Sequence, residues 1–87
     1  MIKMENIDEK RKEIDVIDKK LVILINERAT ISKLIGDLKI KNNIAVIQKE
    51  REKSVYEKVE NLSKIISKED ISKIWKVIIE VSRKIQI

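Results

Sequence analysis

One helical period runs through the first half of this chain. Apolar residues fall at Ile14, Ile17, Leu21, Leu24, Ile31, Ile35 and Leu38, in steps of three, four and, once, seven residues. The pattern extends from about Ile7 to about Ile40 and meets no proline and a single glycine. A helix of that span is roughly 50 Å long at ~1.5 Å per residue. That exceeds what the interior of a compact domain of 87 residues can hold. The pattern therefore predicts a coiled coil or an oligomer, which would complete a thin core. Asn6 or Asp8 is placed to cap the start of the helix.

The rest of the chain reads as two shorter helices. "KNNIAVI", Lys41 to Ile47, breaks the period: the asparagine pair is a turn signal and the β-branched run after it is poor helix. A second helix is predicted from near Gln48, with Val55, Val59 and Leu62 on one face, fading around Ile66 and Ser67. "SKED" then reads as a capping box, with Ser67 as N-cap and Asp70 in place of the usual glutamate. A third helix carries Ile71, Ile74, Ile78, Val81 and Ile85 to the C-terminus. With two aromatics and no proline there is little from which to build strands and their turns. The expected architecture is all-α: one domain over residues 1–87, of one long helix and two shorter ones.

Composition excludes several kinds of chemistry. Without cysteine there is no disulfide framework and no thiolate nucleophile or zinc-thiolate site. Without histidine the commonest general base and metal ligand is missing. The N-terminus is charged and lacks the apolar stretch of a signal peptide. The longest apolar run, "LVILI", is far too short to span a bilayer. The chain reads as soluble, cytoplasmic and without a membrane partner. The net charge of +5 is spread through a chain that is 40% charged, with no long like-signed block. A solvated surface of mixed sign is the plain reading, an attraction for anions the sharper one.

Helical phase then raises a question at Arg28. The apolar series skips position 28, where an arginine stands. A charge on a packed seam costs several kcal/mol unless it is paired. The residue is therefore a snorkelling side chain, half of a register-fixing salt bridge, or a ligand grip. Lys39 lies eleven residues on, within roughly 20° of the same direction and about 16 Å along the axis. Two long cations so placed leave a gap suited to a small anion. Gly36 lies between them, allowing close approach of a ligand or, the favoured reading, of another helix.

Further polar groups join these two. Arginine occupies only four positions, Arg11, Arg28, Arg51 and Arg83, against sixteen lysines. Its sparing use suggests sites where a planar carboxylate needs two parallel hydrogen bonds. Arg11 lies about 25 Å before Arg28 and points roughly 100° away. It cannot serve the Arg28–Lys39 gap of its own chain, but could serve that of an antiparallel partner. Arg51 and Glu52 stand at the margin of the second helix's apolar face. Ser82 and Gln86, four apart, extend the line of Trp75 and Ile79.

Together these positions resemble the all-helical chorismate mutases, the AroQ class. "RKEIDVIDKKLVILINERATISKLIGDLK" resembles that family's long first helix, "EREKSVYEKV" its second-helix Arg-Glu motif, and "IIEVSRKIQ" its third-helix Ile-Ile-x-x-Ser-x-x-x-Gln. The resemblance covers almost the whole chain, in order. It implies an intertwined helical homodimer and the Claisen-type [3,3] rearrangement of chorismate to prephenate. A pericyclic reaction needs no nucleophile, metal, cofactor or proton shuttle, in keeping with a chain that lacks His and Cys.

By this resemblance Arg28 grips one substrate carboxylate and Arg11, in trans from the partner, adds another grip. Lys39 and Gln86 donate to the ether oxygen, and Glu52 holds the ring hydroxyl. Arg51 and Ser82 fix the ring end and its carboxylate. Gln48 falls where many relatives have Asp, a change that matters only if the side chain, not the backbone amide, makes the contact. Two other readings stay open: an isochorismate-pyruvate lyase of the same fold, and a non-catalytic basic helical module. Glu52 and Ser82 together favour the mutase. Two aromatics leave little for base stacking, so no nucleic-acid partner is expected.

Overall fold

The computed structural model describes residues 4–87, with side chains from Asn6 onward. Three helices follow in order, with no strand among the described residues: α1 over Met4–Lys41, α2 over Lys49–Leu62 and α3 over Lys68–Gln86. The all-α expectation holds, as does the sequence of one long helix and two shorter ones. No helix among the described residues is long and apolar enough to cross a membrane.

Helix α1 is already formed at Met4, so Asn6 and Asp8 lie inside it and neither is its cap. Its C-terminal stop has a clear local cause. Asn43 takes φ 54°, the left-handed conformation that asparagine tolerates better than most residues. The Ile44 N–H donates to the Lys39 carbonyl at 2.8 Å and the Asn43 N–H to the Ile40 carbonyl at 3.2 Å. These are the two bonds of a Schellman ending. Lys39 and Lys41 occupy the last turn, where cations complement the helix dipole.

Helix α2 begins where its periodicity does. Gln48 is an extended N-cap, without a side-chain capping bond, and Glu50 and Glu52 lie in the first turn. It ends at Leu62, four residues before the predicted fade at Ile66. The cause is Ser63: its backbone is extended, its N–H donates to the Val59 carbonyl at 3.0 Å, and its hydroxyl donates to the Ile66 carbonyl at 2.6 Å. A serine that bonds local backbone in this way competes with helix continuation. Helix α3 starts as expected, with the Ser67 hydroxyl accepting from the Asp70 N–H at 3.1 Å.

The chain divides at Thr30 and Ile31 into two units. In the first, whose described residues lie within α1, no described apolar residue is buried. Ile7, Ile14, Ile17, Leu21 and Leu24 are each between 41% and 57% exposed. The series that the sequence presents as a seam is therefore not covered within this unit. In the second unit Ile31, Ile35 and Leu38 are exposed too, and the buried residues of α1 are the small Ser32 and Gly36. A Cβ built on Gly36 would lie 2.6 Å from Gln86 Cα and 2.7 Å from the Gln86 carbonyl oxygen. Helix crossing thus accounts for the glycine: only a residue without a side chain admits the end of α3. Ile79 is the buried apolar residue of α3. Helix α2 packs on α3 and is tied to it by the Ser72 hydroxyl, which donates to Glu60 Oε1 at 2.7 Å.

Candidate active site

The close approach at Gly36 sets the end of α3 beside the last turn of α1. There Lys39, half-buried, donates from Nζ to Gln86 Oε1 at 2.7 Å and to the Val46 carbonyl at 2.6 Å. An ammonium has three donors. These bonds use two of them. The amide of Gln86 has its oxygen on Lys39, which makes Nε2 its donor end. A cation and a neutral donor are thus assembled side by side from residues 47 positions apart.

Glu52, in the first turn of α2, joins this cluster through charge. Arg83 of α3 donates from Nε to Glu52 Oε2 at 2.8 Å and from a terminal nitrogen to Oε1, a bidentate pair. These hydrogen bonds hold the Glu52 carboxyl below the ordinary glutamate value. Burial works against them, and the charges of Arg83 and Lys39 reinforce them. Glu52 therefore stands ionised, paired with Arg83 and within electrostatic reach of Lys39. The same pairing raises Arg83 further above its ordinary value.

The other sequence-derived candidates are placed as follows. Ser82 is half-buried on α3, one turn before Gln86. Gln48 is half-buried at the head of α2, where its Nε2 donates to the Ala45 carbonyl at 2.9 Å. Arg51 is exposed. Arg28 is half-buried in α1. Arg11 is exposed and loosely paired with Asp8, at 3.9 Å. The second unit thus joins Lys39 to Gln86 and sets Glu52 within reach of the Lys39 charge. Glu52 also borders an open groove along α2 with Lys49, Lys53, Tyr56, Glu57 and Glu60, whose mixed charges single out no ligand.

Two members of the cluster were not assigned from the sequence. Arg83 belongs to the four scarce arginines, and that scarcity was its only signal. Its partner lies 31 residues away on another helix, beyond the reach of spacing arguments. The Val46 carbonyl is a backbone group in the turn after α1, placed by the Asn43 conformation and carrying no side-chain signature.

The family model described as chorismate mutase type II matches residues 10–87. The bifunctional chorismate mutase/prephenate dehydratase of Aquifex aeolicus is 46% identical over 61 residues, 70% of this chain. This chain spans only 17% of that protein's length. The chorismate mutase of Methanocaldococcus jannaschii is 35% identical over 85 residues, covering 95% of this chain and 86% of its own length. Among solved structures, a conserved hypothetical protein from Pyrococcus furiosus is similar with a TM-score of 0.81 and 28% identity, over 94% of this chain and 96% of that one. The family match opens one residue before Arg11, the first of the scarce arginines, and runs to the last residue. On that extent, the chain belongs to the type II chorismate mutase family.

Proposed function

We propose that this chain rearranges chorismate to prephenate and that Lys39 and Gln86 are the donors to the ether oxygen. The observation that carries this reading is the Lys39–Gln86 pair, hydrogen-bonded at 2.7 Å in a chain of this family. In the rearrangement the ether C–O bond breaks as a C–C bond forms, and nothing enters or leaves. Catalysis then requires two things: the reactive conformer must be held, and charge growing on the ether oxygen must be stabilised. The third N–H of Lys39 and the Nε2 of Gln86 supply the stabilisation, from groups already oriented before the substrate arrives. Because Gln86 is neutral, its contact with the ether oxygen does not call for acid pH.

The remaining roles follow the same reading. Arg28 grips one carboxylate, Glu52 accepts the ring hydroxyl, and Arg51 and Ser82 hold the ring end. Gln48 presents its backbone amide. Residues 1–87 act as one domain, working in the cytoplasm as a homodimer in which Arg11 reaches the partner's site. Support for the dimer comes from the exposed apolar series of α1 and from the straight-helix distance that keeps Arg11 from its own Arg28.

The test is an assay of the purified chain on chorismate and, separately, on isochorismate. Prephenate formed from chorismate is the expected result. Pyruvate released from isochorismate, with no prephenate from chorismate, would make it a lyase. Activity on neither, with salt-sensitive binding to DNA, would make it a binding module.

A further inference from the structure

Arg83 has no part in the reaction as set out above, yet it makes a bidentate side-chain pairing with Glu52 across two helices. Its guanidinium reaches from α3 to α2 and closes on both oxygens of Glu52, with Nε at 2.8 Å from Oε2. The Glu52 side chain is 19% exposed and that of Arg83 37%, so the pair is partly shielded from water. A fork-on-fork pairing fixes the plane of a carboxylate, whereas a point charge fixes only its distance. It also occupies just one acceptor position on each oxygen. A carboxylate offers about four, so a hydroxyl can still be accepted in the plane that Arg83 sets.

We propose that Arg83 is the positioning residue for Glu52: its fork holds the carboxylate in one plane, as an acceptor, for the ring hydroxyl of the substrate. The inference rests on the reading of this cluster as a chorismate mutase site. Arg83 touches Glu52 and not the substrate. The charged and titratable groups facing the pair are Lys39 from α1, Tyr56 from α2 and Glu80 from α3. Lys39 acts on Glu52 in the same direction as Arg83, but more weakly. Removing Arg83 leaves burial as the larger influence on the carboxyl, and burial favours its protonated form. The acceptor would then be lost at a higher pH, and its orientation with it.

The experiment compares wild type, Arg83→Ala, Arg83→Lys, Glu52→Gln and the double variant Glu52→Gln/Arg83→Ala. Prephenate formation is measured from about pH 4 to about pH 8, a range that brackets the ordinary carboxyl value. The hydroxyl contact is made in ground and transition states alike, so Arg83→Ala should raise KM about tenfold with little change in kcat. The acid limb of its kcat/KM profile should move to higher pH. Arg83→Lys, which keeps the charge and loses the fork, should recover only part of the KM. The double variant should be no worse than Glu52→Gln, because both changes remove one function.

An inactive wild type would sink the site reading and this inference with it. An active wild type would sink the inference alone if Arg83→Ala only lowered the melting temperature, leaving KM and the acid limb in place. Losses that multiply in the double variant would do the same. Should Arg83→Ala fail to fold, Arg83→Lys decides: a wild-type KM overturns the proposal and a raised one supports it.

Discussion

At Lys39 one ammonium serves structure and chemistry together. Its bonds to the Val46 carbonyl and to Gln86 Oε1 join the turn after α1 to the end of α3, and in the proposed mechanism its third donor is the one that meets the ether oxygen. Lys39→Ala should therefore lower kcat by about 10²–10³-fold, the usual cost of losing one preorganised donor at a developing charge. The measurement is turnover at saturating chorismate, normalised to the folded fraction by circular dichroism. Glu52 makes a prediction about stability against pH. Its folded pKa lies below the unfolded one, so its ion pair contributes fully above the ordinary carboxyl value and is lost as pH falls through the folded value. The stability gap between wild type and Glu52→Gln, from urea titrations, should stay level from neutral pH down to about pH 4.5. Below that it should close.

Among the elements, the crossing at Gly36 controls where Gln86 stands. Alanine there is the better helix former by about 1 kcal/mol, yet its Cβ would meet the Gln86 backbone at 2.6 Å. Gly36→Ala should therefore lose about 1–3 kcal/mol of stability despite its propensity. Displacing Gln86 by about 1 Å should also cost up to about a hundredfold in kcat. Thermal melts and turnover together check this. Ser67→Ala removes the N-cap of α3 and should lose about 1 kcal/mol, read as a lower Tm. The contrast between these sites shows what was legible in the sequence. The Ser67 cap and the start near Gln48 depend on neighbouring residues, and spacing reveals both. So does the alignment of Ser82 with Gln86. The early end of α2 depends on which backbone group the Ser63 hydroxyl chooses, and the Arg83–Glu52 pair on how two helices pack. Neither is encoded in a local period. The sequence also marked Gly36 as a close approach, of a helix rather than of a ligand; the Gln86 backbone distance agrees.

For the whole molecule, the long period of α1 remains the governing fact. Its apolar series, from Ile7 to Leu38, is exposed in a single chain, and Arg28 interrupts it. We have proposed that a second copy covers this face and returns Arg11 to the site. That proposal unites the length of the helix, the exposed seam and the isolation of Arg11. The measurement that tests it most directly is prephenate formation by Arg11→Ala and Lys39→Ala chains, first alone and then refolded together in equal amounts. Each alone should be nearly inactive beside an active wild type. The mixture should regain about a quarter of wild-type turnover, since half the dimers are mixed and one of their two sites is intact. No recovery, with mixed dimers demonstrated, would contradict a site shared between two chains.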